Sequence, residues 1–181
     1  KTDLHELQRA ALPFGGLTAT PLSALSRVFA SPGPIYDPEG RGQDWWRFAR
    51  VLFAAGFRAG ELIHNTFSYH FTPAGFMLEG AAQQLGCPVF PAGVGQTEMQ
   101  VQVIADLKPV AYVGTPSFLR IIFDKADELG ADVSSLRKAV LSGEALPAAL
   151  RQSLNERGMV VRQAYATADL GVIAYETPSE E

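Results

Sequence analysis

The spacing of hydrophobic residues changes at regular intervals along this chain from about residue 41 onward. Short apolar runs alternate with longer stretches in which apolar residues recur every three or four positions, as at Trp45, Phe48 and Leu52. The short runs predict strands at residues 62–67, 88–90, 110–113, 136–141 and 160–164, the last of which we expect to be the final strand. The longer stretches predict helices at residues 45–55, 73–85, 97–107, 116–129 and 147–157.

Turn-forming residues mark the ends of these elements. Asp44 and Thr97 are candidate N-caps, and three other helices open at a proline. Glycines follow four of the helices, at Gly56, Gly86, Gly130 and Gly158. The strands are apolar without alternation, as expected where both faces are covered, and helices connect them, which favours parallel pairing. The pattern predicts an α/β fold: a doubly wound, mainly parallel sheet with helices on both faces.

The first forty residues lie outside this alternation. Residues 1–20 predict a short helix and a turn-rich stretch, and residues 26–30 predict a short strand. Residues 31–40 contain three prolines and two glycines, which predict an irregular loop. We therefore expect an N-terminal extension at 1–40, an α/β core subdomain at 41–176 and a polar tail at 177–181.

Composition narrows the classes of function. The chain has 181 residues and a net charge of −4 without a basic stripe, so we expect neither a nucleic-acid partner nor a charged membrane surface. The single cysteine, Cys87, excludes an internal disulfide and a cysteine-rich metal site. There is no signal segment and no apolar run of the roughly 18 residues that span a bilayer, so we expect a cytoplasmic protein. The ends of the chain fit a part of a longer protein, although a processed or tag-cleaved chain would look the same. The sequence leaves the oligomeric state open.

Two predicted strands end in small and acidic residues, at 142–145 and at 165–169. Ligands of open parallel sheets bind beyond the carboxyl ends of the strands, so both segments point to one crevice. Tyr165 could cover a flat ring there, and Glu144 or Asp169 could take an amino group or a metal ion. The same residues also fit two ordinary strand-to-helix turns.

Three further strand ends carry candidate chemistry. Residues 65–71 could wall a pocket for a planar apolar ligand, or form a transition from surface to core. The glycine-bearing residues 92–96 could approach a phosphate or simply turn the chain, and Thr115 could serve a ligand or cap a helix. Motifs such as HExxH, CxxC, GxSxG and a Walker lysine are absent, so no catalytic residue can be assigned.

Taken in order, these segments resemble the phenylacetate–coenzyme A ligase branch of the adenylate-forming enzymes. The resemblance covers nearly the whole chain and is carried by residues 1–4 (KTDL), 13–15 (PFG), 54–61, 64–65, 85–89, 95–100 (GQTEMQ), 115–117, 143–145 (GEA) and Tyr165. It implies a Rossmann-like core, and conversion of a carboxylic acid and ATP to an acyl adenylate whose acyl group then passes to coenzyme A.

The resemblance also implies roles for individual residues. The nucleotide, ATP or AMP, would be bound by Gly143, Glu144, Ala145, Tyr165 and Thr167, with the tyrosine stacked on the adenine. The carboxylic acid, possibly aromatic, would lie near Tyr69, His70, Phe71, Thr115 and Pro116. Asp169 stands where the family has a glutamate that helps to hold magnesium.

Two segments depart from the family pattern. The phosphate loop, roughly SSGTTGKP in the family, is replaced at residues 31–38 by SPGPIYDP, which lacks both threonines and the lysine and adds Asp37. The segment Y-G-x-[ST]-E has become YATAD at residues 165–169, with a shorter acid and no preceding hydroxyl. The chain also stops before the family's later ribose-binding acid and its small C-terminal domain. We therefore expect this chain alone not to complete the reaction. The alternatives are a degenerate relative that binds an aromatic acid or a nucleotide or serves as an interaction module, and a Rossmann-type fragment with no retained site.

Overall fold

The structure, a computed structural model, describes residues 2–178. Lys1 of the family-like lead-in and residues 179–181 of the expected tail lie outside the described residues. The helices are α1 Thr2–Ala10, α2 Ala49–Ala54, α3 Ala74–Gln84, α4 Thr97–Leu107, α5 Pro116–Leu129 and α6 Ala148–Glu156, with a 3₁₀ turn at Leu22–Ala24. The strands are β1 Arg27–Ser31, β2 Ile35–Glu39, β3 Ile63–Asn65, β4 Val89–Pro91, β5 Ala111–Gly114, β6 Lys138–Leu141, β7 Val160–Thr167 and β8 Gly171–Tyr175.

Six strands form the central sheet, in the order β4-β3-β5-β6-β7-β8. Strands β3 to β7 pair in parallel, and β8 pairs antiparallel with β7. This arrangement confirms the predicted α/β fold. The prediction that 160–164 is the last strand is wrong, because β7 continues to Thr167 and a short turn leads into β8.

Both faces of the sheet are covered by helices. Within β5, Ala111 and Val113 pack into a core with α2 and α3, whereas Tyr112 points into a second core with α4, α5 and α6. Strand β5 therefore buries alternate side chains on opposite sides of the sheet, and its apolar run lacks the alternation of a half-exposed strand. No helix within residues 2–178 is long and apolar enough to cross a membrane.

The predicted irregular loop at 31–40 is wrong, because it contains a regular β-strand. Strand β2 pairs antiparallel with β1 from Arg27↔Glu39 to Ser31↔Ile35, which leaves a three-residue turn at 32–34. Prolines are tolerated because each strand of a two-stranded ribbon has an outer edge where an N–H is not needed. Phe29 of β1 packs against Trp46 at 5.9 Å between ring centroids, so the hairpin shares the core of the main sheet. The division into 1–40, 41–176 and 177–181 stays a prediction.

Two of the predicted helix starts are also corrected. The helix predicted at 45–55 begins only at Ala49, whose backbone N–H donates to Asp44 Oδ2 at 3.0 Å. Thr97 is not an N-cap: it is the first residue of α4, and Gln96 precedes the helix without a capping side-chain bond. Helices α4 and α5 otherwise have the predicted bounds.

Candidate functional site

The turn after β6 brings three strand ends together. Gly143 has a φ of +87°, a left-handed conformation that favours glycine. A Cβ at Gly143 would lie 3.5 Å from Thr115 Cγ2 and 3.9 Å from Phe67 Cε1. Ser142 N–H donates to the Gly114 carbonyl at 3.1 Å. The carboxyl ends of β3, β5 and β6 therefore meet around residue 143.

Glu144 follows this glycine and is anchored to the start of α5. Its Oε1 accepts a hydrogen bond from the Ser117 N–H at 2.6 Å, at the positive end of the helix dipole. The Thr115 hydroxyl accepts from the Phe118 N–H at 3.3 Å, so Thr115 is the N-cap of the same helix. Pro116 is buried at the first helical position. Three of the predicted site residues, Glu144, Thr115 and Pro116, thus also stabilise the beginning of α5.

Tyr165 lies on β7 with 62 % of its surface exposed, and its ring is outside the hydrophobic interior. It borders a cavity of about 610 Å³ at the carboxyl edge of the sheet. The lining residues are 142–145 from the turn after β6, 163–166 from β7, and 174–176 from the end of β8 and beyond. The structure therefore gathers Gly143, Glu144, Ala145 and Tyr165, four of the five predicted nucleotide residues, around one cavity.

A second, apolar cavity of about 230 Å³ adjoins the first. The two cavities have Ser142, Gly143 and Ala166 in common. Thr167, the fifth predicted nucleotide residue, lines the second cavity. The other residues that line the second cavity come mainly from the hairpin tip and from the α2–α3 side of the sheet. They are Ser31, Pro32, Phe48, Phe67, Thr72, Pro73, Ala74, Met77, Leu78 and Ala168.

Asp169 lies in the turn between β7 and β8, where a distant segment holds the backbone. Trp46 Nε1 donates to the Ala168 carbonyl at 3.0 Å, and the Trp46 carbonyl accepts from the Val172 N–H at 3.2 Å. Residues 2–178 contain no cluster of three or more His, Cys, Asp or Glu side chains that could hold a metal ion. Mg²⁺ usually binds proteins through one or two carboxylates together with substrate phosphates. Asp169 therefore fits such an ion only in the company of a phosphate ligand.

Comparison with curated proteins places the chain in a family. It is 36 % identical over 165 residues to the phenylacetate-coenzyme A ligase of Thermus thermophilus, a match that covers 86 % of this chain and 36 % of the relative. It is 34 % identical over 154 residues to the Aromatoleum evansii enzyme of the same name, covering 80 % of this chain and 35 % of that protein. The chain belongs to the phenylacetate–coenzyme A ligase family. It spans about a third of the length of these curated relatives. No family model matches the chain.

Solved structures of CoA ligases share this fold. An open conformation of 2-hydroxyisobutyryl-CoA ligase, in complex with 2-HIB-AMP and CoA, superposes with a TM-score of 0.89 at 26 % identity. The match covers 98 % of this chain and 41 % of that one. The anthranilate CoA ligase AuaEII, in complex with anthranoyl-AMP, gives a TM-score of 0.64 at 21 % identity over 85 % of this chain and 31 % of its own. The second likeness establishes the fold alone.

The five residues that the phenylacetate–CoA ligase resemblance assigns to the acid are not among those that line the apolar cavity. The Tyr69 hydroxyl accepts from Asn65 Nδ2 at 2.8 Å and hydrogen-bonds to Glu79, and burial raises the pKa of this phenol. His70 and Phe71 are exposed, with ring centroids 4.5 Å apart. Thr115, whose methyl faces Gly143, and Pro116 lie at the start of α5. A direct role of these five residues in binding the acid stays a prediction. Phe67 and residues 72–74, which flank the aromatic run, line the cavity instead.

The distinctive family segment 95–100 has a structural role that the sequence did not disclose. Gln100 Nε2 donates to the carbonyls of Gly93 and Gly95 at 2.9 and 2.7 Å, and Oε1 lies 2.9 Å from His64 Nε2. The Gln100 side chain therefore ties the glycine-bearing loop to β3. Burial lowers the pKa of His64, and the bond to Gln100 opposes this only in part. The contacts of residues 93–95 indicate a turn held in place rather than a group that faces the two cavities.

Proposed function

We propose that this chain is the nucleotide- and acid-binding part of a carboxylic acid–CoA ligase that activates its acid as an acyl adenylate. The observation that carries the proposal is the pair of adjoining cavities. One is bordered by an exposed tyrosine and the other is apolar, and both are lined by Gly143 and Ala166. An acyl adenylate has the same two parts, a flat purine nucleotide and an acyl group, joined at a phosphate.

The larger cavity suits the nucleotide. The exposed Tyr165 ring can stack on the adenine, since aromatic pairs add about 0.5–1.5 kcal/mol beyond burial. Residues 143–145 form the opposite rim of this cavity. One carboxylate oxygen of Glu144 accepts a hydrogen bond from the Ser117 N–H, and the other can accept one from an amino group. The Thr167 hydroxyl oxygen accepts a hydrogen bond from the Leu170 N–H at 3.1 Å. In this bond the hydroxyl is only an acceptor, so its O–H can still donate to a phosphate oxygen.

The smaller cavity suits the apolar part of the acid. Phe48, Phe67, Met77 and Leu78 supply aromatic and aliphatic walls, and the volume of about 230 Å³ favours a compact acyl or aryl group. This preference agrees with the compact acids named for the relatives, such as phenylacetate. An aromatic acid is therefore the first substrate to test.

Coenzyme A is the proposed second substrate, by membership of the family. Magnesium is the proposed metal: when bound it would neutralise phosphate charge, and Asp169 is the residue that would hold it beside a phosphate. Among the described residues we assign none as catalytic. Their proposed work is to bind and align the nucleotide and the acid.

Replacement of Tyr165 tests the nucleotide site. We expect Tyr165→Ala to weaken AMP binding about tenfold, because the stacking surface is lost, and Tyr165→Phe to retain it, because the ring remains. Isothermal titration calorimetry on the wild-type chain and both variants measures the difference. Equal AMP affinities for all three proteins would contradict the assignment of Tyr165.

The activity itself is tested on the full-length protein. Pyrophosphate release that requires both ATP and one member of a panel of aryl and alkyl acids would support the ligase. Silence across the panel, with folded protein, would contradict it.

The alternative is a degenerate relative that binds a ligand without catalysing the reaction. One observation favours it: the Pro-Gly-Pro tip of the β1–β2 hairpin stands where the family sequence has its phosphate loop. Binding of an aromatic acid without measurable ATP affinity would favour this alternative.

A further inference from the structure

We infer that the nucleotide cavity of this chain selects an adenine nucleotide with a single phosphate, an adenylate, over the triphosphate. This inference rests on the proposed function, because it concerns the ligand of the same cavity. It is carried by the charges that surround the cavity and by the hydrogen-bond donors of the hairpin beside it.

The described lining of the two cavities contains no lysine, arginine or histidine. It does contain two carboxylates, Glu144 and Glu176. Arg151 reaches Glu176 from outside the lining and is held there by a bidentate ion pair, with N–O distances of 2.6 and 3.1 Å. Each added phosphate would therefore bring negative charge beside a lining whose only charged side chains are carboxylates, one of them already paired with Arg151.

The hairpin tip offers few donors to a phosphate chain. Pro32 and Pro34 have no backbone N–H, so Gly33 is the only residue of the turn 32–34 that can donate through its backbone. The Ser31 hydroxyl is engaged with the carboxylate of Asp37, which is buried. A phosphate nest needs several successive N–H groups that converge on the anion, and this turn cannot supply them.

The residues around the two cavities do offer donors for a single phosphate group. Ser142, which both cavities share, and Thr167, which lines the apolar cavity, each carry a hydroxyl group. Neutral donors of this kind can satisfy one phosphate group, whose charge is further reduced when it is esterified to an acyl group. An acyl adenylate carries a single negative charge, whereas the triphosphate carries about four. The chain is therefore suited to hold an activated acid after its pyrophosphate has left.

Isothermal titration calorimetry with each nucleotide in turn tests the inferred preference for AMP over ATP. We titrate the chain with adenosine, AMP, ATP and ATP with Mg²⁺ at low salt, and expect AMP to bind at least tenfold more tightly than either form of ATP. Because the discrimination is electrostatic, the ratio should shrink at 0.5 M salt. Equal or tighter binding of ATP overturns the inference but leaves the proposed nucleotide site intact. Failure of all four ligands to bind overturns both.

A matched pair of variants at the hairpin tip isolates the charge. Pro32 is exposed and lines the apolar cavity, so Pro32→Lys places a cation there, and Pro32→Met adds comparable length without charge. We expect Pro32→Lys to reduce the preference for AMP over ATP threefold or more, and Pro32→Met to leave it unchanged. An equal change in both variants would contradict the electrostatic explanation. If Pro32→Lys does not fold, the salt dependence of the wild-type chain decides the matter.

Discussion

Gly114, the last residue of β5, is the position where a single added carbon should do the most damage. A Cβ there would lie 2.0 Å from Thr66 Oγ1 and 2.3 Å from Tyr112 Oη. These two hydroxyl groups hydrogen-bond to each other at 2.7 Å, and the Tyr112 side chain is fully buried. Gly114 does not have a left-handed φ, so Gly114→Ala introduces a steric conflict rather than backbone strain.

The size of the destabilisation follows from how far the Thr66 and Tyr112 oxygens must move. Both oxygens would have to retreat by about 1 Å, which overpacks the core at a cost of ~1–3 kcal/mol. If the bond between Thr66 and Tyr112 breaks, a buried hydroxyl is left unsatisfied at a further cost of ~1–3 kcal/mol. We therefore expect Gly114→Ala to lower the free energy of unfolding by about 2–6 kcal/mol. Urea denaturation measures it, and the midpoint should fall by about 1 M or more.

A matched glycine and a second-site change make this prediction specific. Gly80 lies within α3, and an added Cβ would meet nothing within 4 Å, so Gly80→Ala should stabilise the protein by about 0.5–1 kcal/mol. Thr66→Ala removes the closest obstacle, and should therefore cost less in the Gly114→Ala background than in the wild type, by about 1 kcal/mol. Additive effects, or a Gly114→Ala variant as stable as the wild type, would refute the steric reasoning.

Three other predictions concern stability. Trp46→Phe removes the indole N–H that donates to Ala168, so we expect a loss of about 1 kcal/mol and faster amide hydrogen exchange in the turn that carries Asp169. Burial holds the pKa of His64 below its usual value of 6.5, so the stability of the folded chain should fall as the pH drops below 6.5, by at most about 1.4 kcal/mol per pH unit. Urea unfolding of His64→Phe across this pH range should show a shallower loss. Tyr165→Ala should leave the free energy of unfolding within about 0.5 kcal/mol of the wild type, as measured by urea denaturation, because this ring is mostly exposed.

The alternation of strands and helices could be predicted because local chemistry encodes it. Pro116 and Gly130 bound α5 through their fixed backbone preferences, and the bounds of α4 and α5 agree with the structure. Parallel strands that are buried on both faces must be continuously apolar, which separates them from the amphipathic helices. These signals need no knowledge of distant parts of the chain.

The two missed strands depend on long-range pairing instead. Strand β2 contains Pro38, which argues against a strand unless its partner and its free edge are known. Strand β8 is held by β7 and by Trp46, which precedes it by more than a hundred residues. Local composition does not carry either constraint, so both segments look irregular in the sequence.

One part of the candidate site could likewise be predicted from the sequence, and another part could not. Topology brings the carboxyl ends of β6 and β7 to one edge, so the neighbourhood of Gly143, Glu144 and Tyr165 followed from the order of the strands. The apolar cavity did not, because Pro32 and Phe48 reach it from the hairpin and from the start of α2. Tyr69 hydrogen-bonds to Asn65 of β3, a contact that the sequence did not indicate, and its role in binding the acid stays a prediction.

Gly143 is the point at which fold and proposed function constrain each other. Its left-handed φ lets the chain turn from β6 toward Glu144, and the same residue lines both cavities. Any other residue would need this strained conformation, although its Cβ would make only ordinary van der Waals contacts with Thr115 and Phe67. In the proposed function, a ligand that occupies both cavities would pass the three residues that they share, Ser142, Gly143 and Ala166. A single phosphate ester could link the two parts of such a ligand, which is the arrangement that the inferred preference for an adenylate requires.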